Sequence, residues 1–223
     1  MRSHALSFTV LTALLAAVAN VAACGDDDGG RNRVCTPGTA VGCGAGLVCE
    51  SVPGGAPACF APIEIHGRVF DALDDTGIEG ATIVAIGANE EARSGTVESA
   101  ADGTYELPVS VARTADGEPI MDAVTLRVGA DGYQAFPTAP RVALPIELSS
   151  ATAGDEGDAR VVRNAATDVA LLPLPGDTSG LAEIRGEVLH DDAGGVLVLA
   201  EQGGRAVSSA VTGADGDFVL FNV

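Results

Sequence analysis

From Ile63 onward the chain alternates between runs of two-residue hydrophobic period and short turn signals, and no helical period is sustained for three turns. In Ile63-Glu64-Ile65-His66-Gly67-Arg68-Val69 the apolar side chains and Gly67 share one face, while Glu64, His66 and Arg68 share the other. Successive strand residues point to opposite faces, so this is the pattern of a half-buried strand. Similar runs recur at 81–87, 104–109, 123–128 and 142–148, with weaker ones near 94–99 and 167–172. Asp74-Asp75-Thr76-Gly77, Asp102-Gly103, Asp116-Gly117 and Asp131-Gly132 separate them as turns. Pro145 cannot donate to a ladder, so its strand belongs at an edge or carries an irregularity. The polar stretch Ser149–Asn164 reads as a long loop. About seven short strands over some 110 residues predict an all-β fold, a seven-stranded antiparallel sandwich. With no Trp, two Tyr and six Phe, its core must be built mainly from Val, Ile, Leu and Ala.

The opening of this sandwich then recurs. Ile65-His66-Gly67-Arg68-Val69-Phe70 lines up with Ile184-Arg185-Gly186-Glu187-Val188-Leu189. Gly80-Ala81-Thr82-Ile83-Val84-Ala85 matches Gly195-Val196-Leu197-Val198-Leu199-Ala200, and Ala101-Asp102-Gly103-Thr104-Tyr105-Glu106-Leu107 matches Ala214-Asp215-Gly216-Asp217-Phe218-Val219-Leu220. Three blocks in one order make an internal repeat. The second copy reaches only the strand equivalent to 104–109. Half a sandwich leaves a sheet edge unpaired and an apolar face wet. The expectation is that further strands come from a longer product or, failing that, from a partner.

Ahead of the sandwich stand Cys35, Cys43, Cys49 and Cys59, among closely spaced glycines and prolines. A segment so small cannot bury a sufficient core and needs staples. A zinc site would want a C-x2-C pair, which is missing, so two disulfides are expected, with three connectivities open. The fifth cysteine, Cys24, ends the run Val21-Ala22-Ala23-Cys24 after a short basic head and the apolar stretch Ala5–Ala19. This resembles the bacterial lipobox, which implies cleavage before Cys24 and its lipidation. The alternative, a membrane-spanning helix, fits poorly with Ser7, Thr9, Thr12 and Asn20 and with the lack of a basic stop-transfer flank. The resulting organisation is a signal peptide at 1–23, an acidic tether at 24–34, a disulfide-rich module at 35–60, the sandwich at 61–175, a linker at 176–181 and the incomplete second copy at 182–223. Gly25, rather than Asp, follows the lipidated cysteine, and by the enteric sorting rule this favours the outer over the inner membrane of the cell envelope.

Charge narrows the partners. The chain has 12 Lys+Arg, all of them Arg, against 31 Asp+Glu, a net charge of −19. Such a field repels nucleic acid, and the absence of lysine removes Schiff-base chemistry.

The motif Gly67-x-Val69-x-Asp71, then Gly77-Ile78-Glu79-Gly80-Ala81-Thr82-Ile83-Val84, then Ala101-Asp102-Gly103-Thr104-Tyr105-Glu106-Leu107 resembles the carboxypeptidase regulatory-like family. The resemblance covers 61–175 and, in part, 182–223. It implies a prealbumin-like sandwich of seven strands, generally noncatalytic, in surface, adhesive or transport-associated proteins. The family usually has proline where Ile78 stands, and the corresponding loop of the second copy is shortened. The Lys–Asn cross-link of some related sandwiches is impossible here.

Candidate chemical groups are few. After signal removal only His66 and His190 remain, at non-equivalent repeat positions, and neither has a short-spaced ligand partner such as H-x-x-E; both are expected to be exposed non-ligands, with no metal and no cofactor. No G-x-S-x-G occurs. The acidic groups Asp71/Asp74/Asp75, Asp155/Glu156/Asp158 and Asp215/Asp217 lack the D-x-D-x-D-G calcium pattern and read as solvated turns. Tyr105 and Phe218 occupy matching inward positions, and Tyr133 and Phe136 fit core or edge packing better than a glycan-stacking platform. The expected function is that of a noncatalytic, lipid-anchored envelope protein whose sandwiches serve as structural or adhesive spacers. The alternatives are a surface module with a glycan, peptide or protein ligand, and the accessory part of a longer enzyme.

Overall fold

The computed structural model describes residues 35–120, 123–154 and 159–223. The signal sequence, Cys24, the tether and the Asp155/Glu156/Asp158 group lie outside the described residues.

A small hairpin opens the fold. Strands β1 (Val48–Glu50) and β2 (Ala58–Phe60) pair antiparallel, with Cys49 opposite Cys59. Although directly opposed, these two cysteines do not bond to each other; each is tied to a cysteine of the preceding loop. Cys49 bonds Cys35, and Cys59 bonds Cys43. The disulfides thus stand in one of the three connectivities that the sequence leaves open.

The sandwich follows as β3 (Ile63–Asp71), β4 (Thr82–Ile86), β5 (Val97–Glu98), β6 (Thr104–Val109), β7 (Ala123–Gly129), β8 (Ile146–Glu147), β9 (Thr152–Ala153), β10 (Arg160–Val162) and β11 (Val169–Leu171). One sheet is centred on β3, with β6 antiparallel along one edge. The other sheet runs β5-β4-β7-β8 with antiparallel pairings throughout. Pro145 ends up just outside β8, the edge strand. The core between the sheets is aliphatic: Ile63, Ile65 and Val69 of β3 meet Ile83, Ala85, Leu126 and Val128.

Two details differ from the sequence expectation. Strands β10 and β11 run parallel to β3, end to end along its free edge. The expected loop 149–164 holds β9 and β10, and a single 3-10 turn (Leu148–Ser150) carries the chain from β8 in one sheet to β9 in the other. Nine strands therefore stand where seven were expected, the two additional ones being β9 and β10. Strands β9 and β10 are two and three residues long, too short for an alternation to register.

The second copy comprises β12 (Ile184–Glu187), β13 (Leu197–Gln202), β14 (Arg205–Val211) and β15 (Asp217–Leu220). Gly203 and Gly204, both at positive φ, close the two-residue β13–β14 hairpin. The repeat holds in register as well as in sequence. Gly67 faces Tyr105 across β3–β6, and Gly186 faces Phe218 across β12–β15. Thr82 faces Glu98, and its counterpart Leu197 faces Val211.

The second copy lies in the same compact unit, 33–223, as the first. Phe221 packs on Gly129, whose absent side chain makes room for the ring. Asn222 donates its amide to the carbonyls of Ala130 and Tyr133 and accepts the Gly132 N–H. Arg185 pairs with Glu98. One result is that β4 is buried on both faces: Ile83 and Ala85 enter the core, while Thr82, Val84 and Ile86 are covered from outside. The second copy itself remains half-clothed, with Ile184 44% exposed where its counterpart Ile65 is fully buried.

Candidate functional site

Alternation along β3 places Glu64 and His66 on the outer face, and the β3–β6 register sets Glu106 directly across from His66. His66 Nε2 lies 2.9 Å from Glu64 Oε2, and ligand atoms of all three residues fall within 4.8 Å of one another. His66 is thus half-buried and partnered, where the sequence suggested an exposed, isolated imidazole. The third member, forty residues downstream by chain, reaches it only through strand pairing. One imidazole and two carboxylates can ligate a divalent cation or orient a proton acceptor. Arg163, following β10, lines the same shallow hollow as His66 and Glu106.

The remaining sequence candidates are committed to local structure. His190 Nδ1 accepts the Asp192 N–H at 3.0 Å, capping an exposed turn. Asp71 accepts the Leu73 N–H and the Tyr133 hydroxyl, and Asp74 accepts the Thr76 N–H. Asp75 pairs with Arg68, and Asp215 accepts the Asp217 N–H. Tyr133 and Phe136 pack against the core, the latter with Arg141 over its ring at 4.8 Å. Burial first, then the Asp71 carboxylate, hold the Tyr133 hydroxyl above its ordinary pKa. Tyr105 is buried, donates to the Thr167 carbonyl at 2.6 Å, and is held well above the usual phenol range by burial.

The exposed Asp102 carboxyl lies below its usual range, held there first by the Thr104 hydroxyl and then by the Thr104 N–H. A depressed native pKa contributes stability above the unfolded value of 3.8 that is lost as pH falls through the native one. Asp102→Asn should therefore lower stability at neutral pH, leave it nearly unchanged below the native pKa, and so flatten the acid limb of a stability-against-pH curve, as urea titrations between pH 2 and 7 would read.

Two arrangements were not anticipated. Glu50 of β1 is buried against Arg113, in the loop after β6, each side chain only 1% exposed. Glu50 also accepts the Val111 N–H, while Arg113 donates to Ala61 O at 2.7 Å and lies over the Phe60 ring. Nothing in either local sequence marks this pair, because its members are 63 residues apart.

The other is a buried hydroxyl bridge present in both copies. Ser99 Oγ accepts the Ala81 N–H at 3.0 Å and donates to Ile78 O at 2.6 Å. Thr212 Oγ1 accepts the Val196 N–H at 2.9 Å and donates to Ala193 O. Extending the third repeat block upstream would have found it, since each hydroxyl stands three residues before the turn aspartate. Ser99→Ala leaves a buried donor and acceptor unpaired and should cost about 2 kcal/mol in chemical denaturation, with Ser99→Thr restoring most of it.

Compared with known proteins, the chain matches no family model, and no curated protein matches it.

Proposed function

We propose that this chain is a noncatalytic, lipid-anchored cell-envelope protein whose β-sandwich modules form a stiff spacer, holding a surface away from the membrane to which Cys24 attaches it. The observation that carries this reading is the docked, in-register repeat. Successive copies of one module are fastened together by Asn222, Phe221 and the Arg185–Glu98 pair, and the disulfide-rich module is fastened to the first copy by Glu50 and Arg113. Fastened modules transmit distance, which a string of free ones does not. The lipobox-like run before Cys24 and the following Gly25 favour the outer membrane, and the sandwich motifs favour a carboxypeptidase regulatory-like module.

The test is fractionation of cells making the wild-type chain and Cys24→Ala. The wild type should partition into detergent and the variant into the soluble extracytoplasmic fraction; unchanged partitioning of the variant would defeat the proposal. Against the alternative of a glycan platform at Tyr133 and Phe136 stands the packing of both rings against the core.

A further inference from the structure

Between the outer face of β4–β7 and the β13–β14 hairpin lies a cavity of about 550 Å³. Its walls are mostly apolar, with Val84 and Ile86 from the first copy and Leu197, Leu199 and Phe221 from the second. Leu197 and Leu199 remain 60% and 46% exposed although they face it, so docking of the two copies leaves this space unfilled. The size falls within the range of small-ligand pockets, about 300 to 1,000 Å³.

The charge inside is specific. Arg127 sits on the outer face of β7, opposite Val84. Its Nε is buried with no hydrogen-bond partner, and among the described residues it joins no ion pair. A buried donor without an acceptor is costly. It is also unexpected in a chain with 31 acids for 12 cations. The one other charged residue lining the cavity, among those described, is Glu90, exposed in the turn after β4.

We infer that this cavity binds a single-chain aliphatic carboxylate, its head on Arg127 and its tail along Leu197, Leu199 and Phe221. A guanidinium matches a carboxylate in shape and charge. A phosphate would bring a second negative charge that Arg127 alone cannot balance, in a cavity with Glu90 on its wall. The long apolar wall beyond the arginine gains from covering by methylenes. This site is separate from the spacer role and does not depend on it.

The experiment is calorimetric titration of the purified protein with dodecanoate below its micelle concentration, and with dodecanol as the neutral analogue. Dodecanoate should bind once per chain and more tightly than dodecanol. Arg127→Met, which keeps the apolar stem, should weaken dodecanoate about ten-fold or more, the worth of one charge-assisted hydrogen bond, and leave dodecanol unchanged. Leu199→Trp should fill the space and weaken both. Absence of dodecanoate binding, equal affinity for acid and alcohol in the wild type, or undiminished binding by a folded Arg127→Met protein would overturn the assignment. So would sedimentation showing that a second copy, or mass spectrometry showing that a co-purified peptide, occupies the face in place of the amphiphile. The comparison of acid with alcohol in the wild type decides the matter even if a variant fails to fold.

Discussion

Glu50→Ala should destabilise the protein by about 3 to 5 kcal/mol, because it strands the Arg113 guanidinium in a site from which water is excluded. The carboxylate is itself under tension: burial raises its pKa, while the Arg113 hydrogen bond and charge and the Val111 N–H pull it down. Loss of the pair frees two pieces at once, since Arg113 also holds Ala61 O, at the junction between the disulfide module and β3. Limited proteolysis should accordingly open the chain near 61–62 in the variant before it opens the sandwich. The companion Glu50→Leu/Arg113→Met should recover most of the loss, because a buried ion pair is commonly worth no more than apolar groups of its volume. If the single variant melts like wild type with both disulfides intact, the pair does not clamp the module.

Gly67→Ala should be nearly as damaging, at about 3 kcal/mol, and the repeat supplies its own control. A methyl at Gly67 would occupy the place of the Thr167 carbonyl oxygen and crowd the Tyr105 hydroxyl. The obstacle is backbone, so no rotamer relieves it, and the parallel β11 edge would have to leave β3. At the equivalent Gly186 the methyl would meet the Phe218 ring at 2.6 Å. That ring is only half-buried and can swing toward the uncovered side, so Gly186→Ala should cost about 1 kcal/mol. Denaturant midpoints of the two variants, measured side by side, would check the asymmetry; equal losses would mean that the second copy is as tightly covered as the first.

That asymmetry also marks how far the sequence could be read. The β3 alternation, the matching of Tyr105 with Phe218 in the repeat blocks, and the engagement of all four late cysteines in disulfides were legible because each is local or is written twice. The parallel edge was not. Arg160–Val162 and Val169–Leu171 are too short to show a period, and a strand's direction relative to its neighbour leaves no trace in its own residues. Val142 and Leu144, which look like strand residues, are exposed ahead of Pro145. The site residues divided in the same way. His66 was visible as a type, but Glu106 could join it only once β6 lay against β3. Arg127 looked like an ordinary outward residue of an alternating strand, and it was, until the second copy covered that face.

Strand β4 belongs to the first copy by descent, yet half of its surroundings are furnished by the second. It is a party wall. Severing the chain at the 176–181 linker would not yield two independent lodgers but would bare Val84 and Ile86 on one side and leave Phe221 without a floor on the other. The inheritable module and the cooperative folding unit are therefore different objects in this chain: the repeat is counted in strands, whereas stability is counted in pairs of copies.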